Sequence, residues 1–262
     1  MWNRIRNNIS LLWDLAVNDF KTKYAGSYLG AIWAFVQPII TITVYWLVFQ
    51  YGLRMGSSSD DHPYALWFIT GIVPWLFFSD ALSNGTNCLR EYDYLVKKVI
   101  FPIKLLPLIK VLSAALVHLV FLVFMAIIYG VYGYFFSIHP LRLIYYGLCL
   151  TLLATGMTYI CSAVVVFFKD LGQIITVILQ IGMWATPILW NYKEVVPESL
   201  LWLFKLNPMF YIVEGYRNSM LEDIRLLSHW LQMLYVWIII ALLLFCGIRL
   251  FHKLEDHFAD VL

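Results

Sequence analysis

Apolar and polar positions in this chain alternate on the scale of whole helices. Six long apolar stretches, over about residues 31–53, 64–83, 111–136, 143–168, 171–190 and 230–251, are separated by short polar connections. Each has roughly the twenty residues that a helix needs to cross about 30 Å of hydrocarbon. The pattern predicts an all-α polytopic membrane protein with six transmembrane helices, one domain over residues 1–262. Ahead of the first span, residues 8–25 predict a helix of another kind. Ile9, Leu12, Trp13, Ala16, Phe20 and Tyr24 recur at spacings of three and four, with Asp14, Asn18 and Lys21 largely opposite. Such a helix lies in the membrane interface, where aromatic rings keep an apolar body and a wet tip.

Breaks in the pattern add detail. Gly26 and Gly30 mark a bend between the flat helix and the first span. Pro38 follows Gln37 inside that span and frees the carbonyl of residue 34. In the second span Asp80 is a lone carboxylate, resting against the inner interface or paired in a wet cavity. His118 reads as a packed, hydrogen-bonded histidine. The inner connection, residues 88–102, mixes Arg90, Glu91 and Asp93 with Leu95, Val96, Val99 and Phe101 before Pro102 and Pro107. A short amphipathic helix there suits the inner leaflet or the groove of a soluble partner equally well. Between the fifth and sixth spans, residues 195–213 are too apolar for a free loop and too short for two crossings. They predict a short re-entrant helical hairpin, a surface linker being the plainer alternative. Glu214 and Arg217 stand three apart beyond it, on one helical face.

Composition agrees with a membrane class: of 262 residues 62% are hydrophobic and 13% charged, against about 25% charged in soluble domains. The net charge of +2 carries no basic stripe, so nucleic acid is not an expected partner. Cys88, Cys149, Cys161 and Cys246 have no metal-ligand spacing and read as apolar packers. With the amino terminus inside, Arg54, Arg142, Lys193, Lys205, Arg217 and Arg225 are the outer basic residues among 18, and the rest lie inside. That bias predicts both termini in the cytoplasm. The triplet Asn84-Gly85-Thr86 then faces the cytoplasm, so its glycosylation pattern is a chance match. The chain has no nucleophile elbow, no HExxH and no Walker A stretch. No cofactor is expected in it, and an active pump of this kind would draw on a separate ATPase.

An ordered set of short motifs resembles the ABC-2 family of permeases, in the branch that exports O-antigen, capsule or teichoic acid. The marks are Lys23-Tyr24 with Ser27, Leu29-Gly30 and Trp33 before Pro38; Gly71 with Pro74-Trp75; and Leu95-Val96-Lys97-Lys98 with Phe101-Pro102 and Leu106-Pro107. Lys169-Asp170 and Leu206-Asn207-Pro208-Met209 with Arg217 complete it. Lys169 departs from the arginine common in the family, and lysine lacks the rigid donor fork.

The resemblance implies a homodimer in the bacterial inner membrane, joined by two copies of a nucleotide-binding subunit that holds ATP and Mg. It implies that the interface helix gates the inner side, and that Leu95, Val96, Lys97, Lys98, Val99 and Phe101 dock on the ATPase. The implied cargo is a glycan on undecaprenyl diphosphate. Arg4, Arg6, Lys21, Lys23 and Tyr24 would meet the carrier diphosphate, although attraction to anionic membrane lipid accounts for the same charges. Trp33, Phe35, Tyr45, Trp46, Trp184, Trp190 and Tyr192 are candidate path aromatics on which sugars slide, against the plainer enrichment of aromatic residues at membrane interfaces. A small-molecule or drug exporter of the same architecture is the alternative, ahead of a membrane enzyme of lipid-linked sugar metabolism or a structural scaffold.

Overall fold

The computed structural model describes residues 2–53, 62–96, 102–221 and 226–262, with backbone only for residues 2–9, 95, 136, 193, 194, 226 and 227. The described chain is all-α. Its helices are α1 (Trp2–Lys23), α2 (Trp33–Leu47), α3 (Tyr64–Glu91), α4 (Asp93–Val96), α5 (Leu106–Val131) and α6 (Pro140–Val165). There follow α7 (Leu171–Ala185), the short α8 (Tyr192–Val195) and α9 (Leu201–Lys205), then α10 (Pro208–Met220), α11 (Trp230–Leu254) and α12 (Phe258–Val261).

Among the described residues five helical stretches are long and apolar enough to cross a membrane: Gly30–Gly52, Tyr64–Glu91, Ile103–Val131, Pro140–Val165 and Trp230–Val261. The remaining predicted span, 171–190, holds the 15-residue α7, which rises only about 22 Å. It stops at Ala185 because Thr186 precedes Pro187 and takes an extended conformation, φ −91° and ψ 122°. Other boundaries shift for equally local reasons. α5 starts at Leu106, earlier than the apolar run, since Pro107 suits a first turn. It ends at Val131 ahead of Gly133, whose φ is +82°. α3 continues beyond residue 83 to Glu91 and so carries Asp80 and the Asn84 triplet inside a helix.

The bundle is built on α3, which packs against α5 and α6, while α11 lies along α6. Small residues permit that last approach: a Cβ on Gly247 would stand 2.8 Å from the Gly156 carbonyl oxygen. α10 packs on α6 and α3, and its Met209–Val213 run is buried. α2 and α7 sit at the margin and leave Ile40, Val44, Leu47, Val177, Ile178 and Ile181 exposed.

The predicted bend before the first span is present. Gly26 and Gly30 have φ of +92° and +53°, values that residues with a Cβ adopt only under strain. The predicted stripe of α1 is present in part. Ala16 is fully buried and Leu12 and Leu15 pack inward, but Trp13 is turned out and Asp19 is turned in. α1 packs its Leu12, Leu15 and Ala16 face on the bundle, and that face is not the stripe through Trp13.

Candidate functional site

Charged side chains gather at the end of the bundle where α1 crosses α5. Lys110 of α5, its side chain 3% exposed, bonds Asp19 of α1 at 2.8 Å and Glu91 of α3 at 2.8 Å. The Tyr92 hydroxyl donates to the same Asp19 oxygen at 2.6 Å, and the Lys110 ammonium lies 4.8 Å from the Tyr92 ring centre. Burial, and then the bond to Asp19, push the Tyr92 phenol up from its ordinary value. The other Asp19 oxygen has no partner among the described residues. A fully buried carboxylate tied to a buried ammonium fixes α1 on the bundle, because separating the two leaves a charge unsatisfied.

One turn further along α1, Lys23 bonds Asp80 of α3 at 2.7 Å. Asn84, one turn along α3, donates its amide to the Asp80 carboxylate and to the Asp80 carbonyl, both at 2.8 Å. Asp80 is therefore paired. Tyr24 lies beside this pair; burial pushes its phenol up and the Lys23 charge works against that shift. The pair lines a cavity of about 370 Å³ between Lys23–Tyr24, α2, α3 and α5. Its walls are mixed: Gln37, Thr41 and Ser83 among polar groups, Trp33, Phe77 and Phe121 among rings. His118 lines it from α5, bonded through Nε2 to the Tyr216 hydroxyl at 2.9 Å.

At the other end of the bundle the predicted Glu214–Arg217 pair is formed, at 2.6 Å. Arg217 also donates to the carbonyls of Pro187 at 2.9 Å and Ile188 at 3.3 Å, and its guanidinium lies 3.5 Å from the Trp67 ring centre. The Asn207 side chain caps α10 by accepting from the Met209 N–H and donates to the Thr186 hydroxyl at 2.9 Å. Backbone freed where α7 ends is thus tied to α10 and α3.

The profile of the ABC-2 type transporter family matches residues 10–221. The chain belongs to that family. This permease is similar to the O-antigen export system permease protein RfbA of Klebsiella pneumoniae, 26% identical with 99% of each chain covered. It is similar to the RfbA permease of Myxococcus xanthus, 26% identical over 81% of this chain and 80% of that one. The polysialic acid transport protein KpsM of Escherichia coli is 20% identical over 92% of each. The chain is a multi-pass membrane permease component of an ABC-type exporter, in a family related to polysaccharide export.

Within one subunit the seven candidate path aromatics lie in several separate places. Trp33 borders the cavity beside the Lys23–Asp80 pair, and Phe35 packs on Phe121 with ring centres 6.2 Å apart. Trp46 meets Tyr51 edge-on and borders a separate apolar cavity of about 210 Å³, while Tyr45 packs partly buried against the core. Trp184 is exposed beside Phe49, and Trp190 donates to its carbonyl at 3.1 Å. Tyr192 turns to Glu214, donating at 3.1 Å. Of the candidate docking residues, Val96 is buried against the cluster that holds Phe258 of α12. The Leu95 side chain, and Lys97, Lys98, Val99 and Phe101 entirely, lie outside the described residues. Among the candidate gate cations, the Arg4 and Arg6 side chains lie outside them too, Lys21 is exposed, and Lys23 is held by Asp80.

Sequence reading missed Asp19, Glu91 and Lys110 as a unit. One signal was there: Asp19 follows Leu12, Leu15 and Ala16 at helical spacing, on the face that packs inward.

Proposed function

We propose that this permease moves a lipid-linked polysaccharide of the O-antigen kind from the cytoplasm to the outer side of the bacterial inner membrane. It does so as a homodimer with two copies of an ATPase subunit that binds ATP and Mg. The observation that carries this reading is the likeness to two O-antigen export permeases, in one case across 99% of both chains. The apolar faces that α2 and α7 leave exposed are surfaces on which a second copy would pack.

In this reading the chain crosses six times with both termini cytoplasmic. α7 makes the fifth crossing together with the non-helical residues after it, and α9 with α10 forms the outer re-entrant hairpin. Arg217 supports the hairpin by satisfying the carbonyls of Pro187 and Ile188, which water cannot reach at membrane depth. α1 is the inner gate, and residues 88–102 are the coupling region, packed through Val96 between α12 and the bundle. Glu91 and Tyr92 lie within that region and hold the Lys110–Asp19 anchor, so a push on it reaches α1 through bonded side chains. Arg4, Arg6 and Lys21 meet the carrier diphosphate, and Trp33, Phe35, Tyr45, Trp46, Trp184, Trp190 and Tyr192 pass the glycan outward.

The coupling segment provides the test. Changing Leu95, Val99 or Phe101 to Asp should leave the permease inserted and its ATPase active while glycan no longer reaches the surface. Normal surface glycan in all three variants would refute the docking role.

A further inference from the structure

We propose that the inner cavity bounded by α2, α3 and α5 is a binding site for one neutral sugar unit, rather than for the carrier's phosphate. The inference rests on the polysaccharide reading, and it assigns a site within a single subunit. Its volume, about 370 Å³, falls in the lower part of the roughly 300–1,000 Å³ range of small-ligand sites.

Charge decides between the two parts of a lipid-linked glycan. The cavity holds one cation and one carboxylate, and these are bonded to each other at 2.7 Å. A phosphate entering there must displace Asp80 from Lys23 and then share the site with a carboxylate, whose like charge opposes it. A free divalent cation meets the converse obstacle in the Lys23 ammonium. A polyol brings no charge and leaves the pair intact.

Hydrogen bonding points the same way. His118 is 9% exposed, and its Nδ1 has no partner among the described residues, whereas Nε2 faces the Tyr216 hydroxyl. A buried polar atom left unpaired is costly, and a ligand in the cavity that His118 lines would bring polar groups close to this ring. A sugar hydroxyl donates and accepts, and so satisfies either tautomer of the ring; a fully ionised phosphate can only accept. Gln37 and Thr41 from α2 and Ser83 from α3 add amide and hydroxyl groups around it, and Trp33 and Phe121 offer apolar faces to the C–H side of a pyranose. The site would let the glycan rest beside the gate while its carrier stays at the interface.

The test uses the purified full-length permease in nanodiscs of deuterated lipid, with methyl glucoside and methyl phosphate as probes. Saturation transferred from protein to each probe's methyl protons reports binding. The glucoside should take up saturation and the phosphate should not. Gln37→Leu and His118→Phe should each bind the glucoside about fivefold more weakly, the loss expected for one net hydrogen bond. Should either variant melt early, Thr41→Val removes a single hydroxyl at nearly constant shape and should give a similar loss. No transfer to the glucoside, transfer to the phosphate as strong as to the sugar, or variants that bind like the wild type would each overturn the assignment. Surface glycan in a strain lacking the chain, restored by the wild-type gene, tests export separately, so failure of the site and failure of the export reading are told apart.

Discussion

Replacing Lys110 by methionine keeps a long apolar stem and removes the ammonium that Asp19 and Glu91 share. Asp19 would then sit 3% exposed with the Tyr92 hydroxyl as its remaining partner in this cluster. Breaking a buried pair so that one charge is left uncompensated costs about 3–5 kcal/mol. Glu91 contributes much less, because its side chain is 49% exposed and a solvated pair is worth about 0–1 kcal/mol. The three changes therefore separate. Lys110→Met should loosen α1 by several kcal/mol, Glu91→Gln by less than about 1 kcal/mol, and Asp19→Asn with Lys110→Met should recover most of the loss because no unpaired charge remains. Hydrogen exchange of the α1 amides over residues 10–23, in nanodiscs, reads this directly. Local opening should rise about 10²–10³-fold in Lys110→Met. Unchanged exchange in that variant, or equal loosening by Glu91→Gln, would refute the anchor.

Three further outcomes follow from the same geometry. Arg217→Lys should lower the thermal stability of the permease in detergent, because one ammonium cannot reach Glu214 and the Pro187 and Ile188 carbonyls in the guanidinium's planar arrangement; a melting curve that overlays the wild type would contradict this. Gly215→Ala drives a Cβ into the Tyr146 ring where α10 meets α6, and should cost about 1–3 kcal/mol by overpacking, read by the same melting assay, with no change counting against it. Trp33→Ala with Trp46→Ala should slow the appearance of surface glycan, and normal flux would place those two rings outside the path.

Features set by near neighbours in the chain were legible in the sequence. Apolar length located five of the helices, the two glycines before the first span located the bend, and spacing alone paired Glu214 with Arg217. His118 was read as packed and hydrogen-bonded, and Tyr216 supplies the bond. Helix ends were less legible where a single residue overrides the apolar average, as Pro187 does for α7 and Gly133 for α5. Long-range partnerships were not legible. Asp19 and Lys110 belong to helices far apart in sequence, and Lys110 on its own reads as one more inner-side charge. Asp80 looked solitary because Lys23 reaches it from across the bend. The path aromatics illustrate a further limit: hydropathy assigns a ring to a depth in the membrane, but which side of its helix faces a neighbour depends on packing that a composition rule does not contain.

In the proposed function this chain provides a route for glycan and takes its power from another subunit. The most direct measurement places the purified permease in sealed proteoliposomes, with and without its ATPase subunit, and follows movement of a lipid-linked glycan to the far leaflet as ATP is added. Translocation that requires both the ATPase and nucleotide hydrolysis is the predicted result. Glycan that crosses at the same rate without nucleotide would contradict it.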